Sequence, residues 1–156
     1  GMSEQLEWGS FSPDVCEFLK LLDVHRVDYL IVGGEAVIFH GYPRLTGDVD
    51  FFYGLDPENG RKLFEALKEF WGDSIPGVAR VEDLLDPGVV IQFGRPPYRI
   101  DLLNTIDGVT FSEAWNGRRT VSMDEIPVHY IGLKELRRNK EASGRHKDLD
   151  DLEHLP

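Results

Sequence analysis

The chain has 156 residues, of which 41% are hydrophobic and 29% charged, a globular composition that excludes wholesale disorder. Its one cysteine, Cys16, excludes a disulfide framework or a cysteine-based zinc site within the chain, and no apolar run approaches the ~18 residues of a membrane span. The net charge of −11 repels nucleic acid overall. These features lead us to expect one soluble cytoplasmic domain over residues 2–156, with Gly1 before Met2 as a tag remnant.

In chain order, residues 12–24 predict a helix. Ser12 is a good N-cap, Pro13 suits the first helical position, and Val15, Phe18, Leu19 and Leu22 share a face. Tyr29 to Val32 form a short apolar run expected of a strand covered on both sides. Gly33-Gly34 ends it, and Ala36 to His40 predict a short buried helix. Asp48 to Tyr53 alternate as a strand, with Asp48, Asp50 and Phe52 on one face. Asp56-Pro57 opens a helix with an apolar stripe of Leu63, Phe64, Leu67, Phe70 and Trp71, closed by Gly72. Val89 to Phe93 and Tyr98 to Asn104 predict a hairpin across Gly94-Arg95-Pro96-Pro97. A helical turn or two is expected at 111–116, strands at Arg119 to Met123 and Pro127 to Ile131, and a helix over 133–143 stopped by Gly144. A last helix carries Leu149, Leu152 and Leu155. Strands and helices mix without strict alternation, so the fold class is α+β (mixed α/β), helices packed on a small central mixed sheet.

The chemistry concentrates in three aspartates and a glycine turn. Asp48 and Asp50 are two apart on a strand, so both leave the same face. Carboxylates held that close repel unless a cation lies between them. A hard divalent ion such as Mg²⁺ resolves the conflict and keeps positions for water and phosphate. Asp101 is the polar residue among Ile100, Leu102 and Leu103. If its strand pairs beside that of Asp48, three carboxylates converge, enough for two ions flanking a phosphoryl displacement. Gly33-Gly34, between strand and helix, allows backbone N–H groups to approach a phosphate. The patterns of dinucleotide-binding and P-loop folds are absent. The five histidines show no paired metal spacing. A basic segment, Lys134, Arg137, Arg138, Lys140, Arg145 and Lys147, stands out from the acidic background. It suits a compact anionic ligand better than a duplex.

Together these residues resemble the nucleotidyltransferase superfamily with the DNA polymerase β-type fold: a glycine pair, then Asp-x-Asp on a strand, then a third Asp on a later strand. Thirteen residues separate Gly34 from Asp48, within that pattern. The stretch GGEAVIFHGYPRLTGDVDFF is most similar to the small bacterial AbiEii toxin-like group, through Arg44, Thr46, Asp48 and Asp50. The C-terminal KEASGRHKDLDDLEHL matches that group at Lys140, Gly144, Arg145, Lys147, Asp148 and Asp151. The resemblance implies Mg²⁺ or Mn²⁺ on Asp48, Asp50 and Asp101, which would be the catalytic residues. It implies an NTP donor held by Gly33, Gly34, Arg44, Thr46, Lys140, Arg145 and Lys147. NMP would pass to a hydroxyl of a tRNA or other RNA end, a protein side chain or a small molecule, with a cognate toxin or antitoxin as partner. For Arg145 and Lys147 an equal reading is pairing within the last helix, with Asp148 and Asp151. Two alternatives are a non-catalytic binding module of this fold acting as antitoxin or regulator, and an aminoglycoside- or lincosamide-modifying transferase. The serine common at the second glycine elsewhere in the superfamily is replaced here by Gly34, and no separate acceptor-binding domain is expected.

Overall fold

The computed structural model describes residues 11–95 and 98–156 in full and residues 5–6 as backbone. Pro96 and Pro97 of the hairpin connection, and the Gly1-Met2 start, lie outside the described residues. Among the described residues seven strands form one sheet, β1 (Gln5–Leu6), β2 (Tyr29–Val32), β3 (Asp48–Tyr53), β4 (Val90–Phe93), β5 (Arg99–Leu103), β6 (Arg119–Met123) and β7 (Ile126–Tyr130), in the order β1-β6-β7-β2-β3-β5-β4. The sheet is mixed. β2 runs antiparallel to β3, and β5 parallel to β3 and antiparallel to β4. The helices are α1 (Pro13–Val24), α2 (Gly33–Phe39), α3 (Pro57–Trp71), α4 (Glu82–Leu85), α5 (Phe111–Asn116), α6 (Leu133–Ser143) and α7 (His146–His154). Among the described residues no helix is long and apolar enough to cross a membrane.

The core follows from the apolar faces. Ser12 caps α1 by accepting from the Val15 N–H at 3.3 Å, and Val15, Phe18, Leu19 and Leu22 are buried. Phe18 meets Phe51 of β3 and Phe70 of α3 edge-on, with ring centroids 5.2 and 5.3 Å apart, the geometry favoured by aromatic quadrupoles. All four residues of β2 are buried. Asn59, 3% exposed, closes the end of the β2–β3 pair. Its Oδ1 accepts from the Asp28 N–H at 2.7 Å, and its Nδ2 donates to the carbonyls of Asp28 and Gly54.

Four details differ from expectation. α2 starts at Gly33 rather than Ala36, because Gly33 turns the strand into the helix at φ +66°. On α3, Ala66 is buried and Trp71, the last residue of the helix, is 37% exposed with its ring against Phe93. On α7, Leu149 is 48% exposed while Asp148 and Asp151 face inward. The short elements β1 and α4 carry too few residues to show a period.

Candidate active site

Asp48 and Asp50 leave one face of β3, and the parallel register sets Asp48 against Arg99 and Asp50 against Asp101. The two-residue period of the strands therefore brings the three carboxylates together. One ligand oxygen of each lies within 4.8 Å of the others. Asp101 is 7% exposed. Among the described residues Asp50 Oδ1 is the buried side-chain polar atom with no hydrogen-bond partner. Burial pushes the Asp50 carboxyl up to about 7, helped by the charge of Asp101, a hydrogen bond with it, and the charge of Asp48, and opposed by Lys147. A buried carboxylate lone pair without a donor, in a cluster of like charge, is an arrangement that a cation completes.

Arg99 is the functional residue that sequence reasoning passed over. Its guanidinium donates to Asp48 Oδ2 at 2.7 Å, and to Asp101 Oδ1 and Oδ2 at 2.9 and 3.2 Å. The signal was available. Arg99 and Asp101 share the i, i+2 spacing of Asp48 and Asp50, so they share a strand face. The hydrogen bond to Asp101 raises the already high Arg99 pKa.

The glycine turn lies against these groups. A Cβ on Gly33 would fall 2.3 Å from Asp50 Oδ2, and one on Gly34 would fall 2.5 Å from Thr46 Oγ1. Asp50 thus fills the space that Gly33 leaves. Gly33→Ala is expected to cost about 2–3 kcal/mol, from positive φ plus the clash. Gly144→Ala, at φ +64° in the left-handed region with only an ordinary 3.6 Å contact, is expected to cost about 1 kcal/mol from φ alone. Urea unfolding of the two variants checks the difference.

The remaining candidates divide. Arg44 grips Asp151 through Nε at 2.8 Å and Nη2 at 3.0 Å, and Nη1 donates to the Leu45 carbonyl. Thr46 Oγ1 donates to the Asp48 carbonyl at 3.4 Å. Lys140 is 4% exposed, its ammonium 3.2 Å from Asp148 and 3.0 Å from Asp151. Arg145 pairs with Asp148 at 2.8 Å, the expected i, i+3 contact. Asp151 bonds Arg44 and Lys140. Lys147 is exposed, and its charge reaches Asp50. The structure therefore sets Gly33 against Asp50 and Gly34 against Thr46, which bonds the Asp48 carbonyl, and ties Arg44, Lys140 and Arg145 into a neighbouring ion network. His40 braces the fold, bonding the Ile131 carbonyl at 2.7 Å.

A pocket of about 250 Å³ opens beside Asp48 and Arg99, its wall including Glu35, Thr46, Gly47 and Tyr98. A larger cavity of about 940 Å³ lies within residues 73–89 and shares none of these groups.

No family model matches the chain, and no curated protein matches it. Its structure is similar to the crystal structure of a Thermotoga maritima protein described as a "putative nucleotidyltransferase". The TM-score is 0.61 over 98% of this chain and 96% of the other, at 11% identity. The two chains share a fold. It is mixed α/β, the fold class expected from the sequence.

Proposed function

We propose that the chain is a metal-dependent nucleotidyltransferase, moving NMP from an NTP to an acceptor hydroxyl. The observation that carries this reading is the convergence of Asp48, Asp50 and Asp101, with Asp50 Oδ1 buried and unpartnered. The fold shared with the Thermotoga protein supports it. The donor set is all oxygen and anionic, which fits Mg²⁺ or Mn²⁺. Bound there by the three carboxylates, the ion would supply charge stabilisation to the phosphoryl oxygens. The chain's own residues do the rest. Backbone N–H groups of Gly33 and Gly34 face the triphosphate at the start of α2. Thr46 braces the loop beside it, and Lys147 adds positive charge. Asp101 orients the acceptor hydroxyl and takes its proton. The hydroxyl oxygen forms a bond to the α-phosphorus, and the bond to pyrophosphate breaks.

Affiliation with the AbiEii-like group, and with it a toxin–antitoxin role, is supported by one feature. Arg44, distant in the sequence, joins Lys140, Arg145, Asp148 and Asp151 of the C-terminal stretch in one connected set of ion pairs. The acceptor is best read as compact. Within the basic segment Arg137 bonds the carbonyls of Leu155 and Pro156, Arg138 pairs with Glu113, and Lys140 and Arg145 are in the network. Three of the segment's six charges, those of Arg138, Lys140 and Arg145, are thereby answered by carboxylates of the chain, which favours a compact acceptor over a long RNA.

The test is thermal unfolding with a panel of NTPs, with and without Mg²⁺ or Mn²⁺. One NTP at 100 times its Kd is expected to stabilise the protein by about 2.7 kcal/mol, several degrees for a chain of this size. The shift should require the metal and vanish in Asp48→Asn. No shift with any NTP would overturn the reading.

A further inference from the structure

The sheet itself holds Arg99 at the carboxylates. Its Cα pairs with that of Asp48 in the parallel β3–β5 register, and it stands two residues before Asp101 on the same face. Its place follows from backbone pairing as well as from the reach of a long side chain. From there the guanidinium bonds Asp48 and Asp101, two of the three groups at the candidate metal site, and leaves Asp50 Oδ1 bare. A planar guanidinium with several fixed donors spans two carboxylates well. It neutralises part of a cluster that would otherwise repel itself. A carboxylate oxygen that accepts a short charge-assisted bond has less to offer a metal ion, and Mg²⁺ demands near-ideal geometry from its ligands.

We propose that Arg99 is a resident counter-ion for Asp48 and Asp101 that gives way to the divalent cation, so that metal loading is an exchange and not an addition to an open site. The inference rests on reading the three aspartates as the metal site. The side chain has somewhere to go. It is 27% exposed and borders the pocket of about 250 Å³ whose lining includes Glu35, Thr46, Gly47, Asp48 and Tyr98. Turned into that pocket, the guanidinium would release Asp101 and be free to meet an anionic phosphate, whose charge it would offset beside Glu35 and Asp48. Metal and nucleotide should then bind with positive coupling, each providing what the other's arrival leaves unpaired.

The test is Mn²⁺ binding to the full metal-free chain without nucleotide, read from the free-ion electron paramagnetic resonance signal. Wild type, Arg99→Gln and Arg99→Lys are compared. Arg99→Gln removes the competitor and is expected to bind Mn²⁺ about tenfold more tightly. Arg99→Lys, a point charge unable to span both carboxylates, should fall between. Metal-free Arg99→Gln should also melt lower than wild type and gain more from Mn²⁺. A merely structural arginine would lower the melting temperature without tightening the ion. If Arg99→Gln folds and binds Mn²⁺ no tighter than wild type, the exchange is overturned and the metal site stands. If neither protein binds Mn²⁺, the metal site falls and the exchange with it. Should Arg99→Gln fail to fold, the lysine variant decides: affinity equal to or weaker than wild type overturns the exchange.

Discussion

Asp50→Asn is expected to stabilise the metal-free protein by about 2 kcal/mol at pH 8, or roughly 4–8 °C in Tm, while abolishing metal-dependent nucleotide binding. The sign follows from where the proton sits. In the folded protein burial and the neighbouring Asp101 hold the Asp50 carboxyl at about 7, against 3.8 for an ordinary aspartate. Between those values the unfolded chain has lost the proton and the folded chain has kept it. Stability therefore falls as pH rises from about 4, and the loss is complete above about 7. Asparagine never ionises, so its advantage is greatest at pH 8 and shrinks towards pH 4. Urea midpoints at pH 5 and pH 8, in the presence of chelator, measure it. A variant less stable than wild type at pH 8 would make the Asp50 carboxylate a structural group. Turnover should fall by at least about 10²–10³, the cost of removing one preorganised electrostatic group. A group whose removal improves the fold but destroys binding is one whose placement serves chemistry.

The division between what was legible in the sequence and what was not has a physical basis. Local signals transferred well. Tyr29 to Val32 are a buried strand, Asp48 to Tyr53 a strand, and α6 runs from Leu133 to Ser143 as its stop at Gly144 predicts. Period-two alternation placed Asp48 and Asp50 together, since that is a property of one strand. Whether Asp101 joined them depended on which strands pair, and only the register of β3 with β5 decides it. The role of Arg99 was hidden for the same reason, as its partner Asp48 lies 51 positions away. On α7 the apolar pattern misdirected. Of Leu149, Leu152 and Leu155, only Leu155 is buried, and the fully buried residues are Asp148 and Asp151. Carboxylates are buried when cations meet them, and here one cation is Arg44, 107 positions upstream. No window along the sequence contains both ends of that pair.

That network supports the second large effect. Lys140→Met is expected to destabilise the protein by about 3–5 kcal/mol, because removing one partner leaves the others buried with their charge uncompensated. Asp148 and Asp151 are 0% and 1% exposed. Without the ammonium, Asp148 retains only Arg145, whose side chain is 66% exposed, and Asp151 retains Arg44. The loss is a large part of a typical total of about 5–15 kcal/mol. Its pH dependence separates charge from packing. Burial alone would raise the Asp148 carboxyl, but hydrogen bonds from Arg145 and Lys140 outweigh it and hold it below the ordinary 3.8. A depressed carboxyl contributes stability above the unfolded value and loses it as pH falls through the folded one. The Lys140→Met penalty should therefore be full at pH 6–8 and diminish below about 4, as protonation removes the charge that Lys140 answers. A penalty independent of pH would assign Lys140 to packing. Lys140→Met combined with Asp148→Asn should recover part of the loss, giving a coupling of at least about 1 kcal/mol in the cycle. The same variant tests how the site is held. Arg44 joins Asp151 to the loop that carries Thr46 against Gly34, so a loosened network should weaken metal-dependent NTP binding even under conditions where the variant is fully folded. Unchanged NTP affinity in folded Lys140→Met would confine the network to stability and leave the positioning of the loop to β3 and the glycine turn.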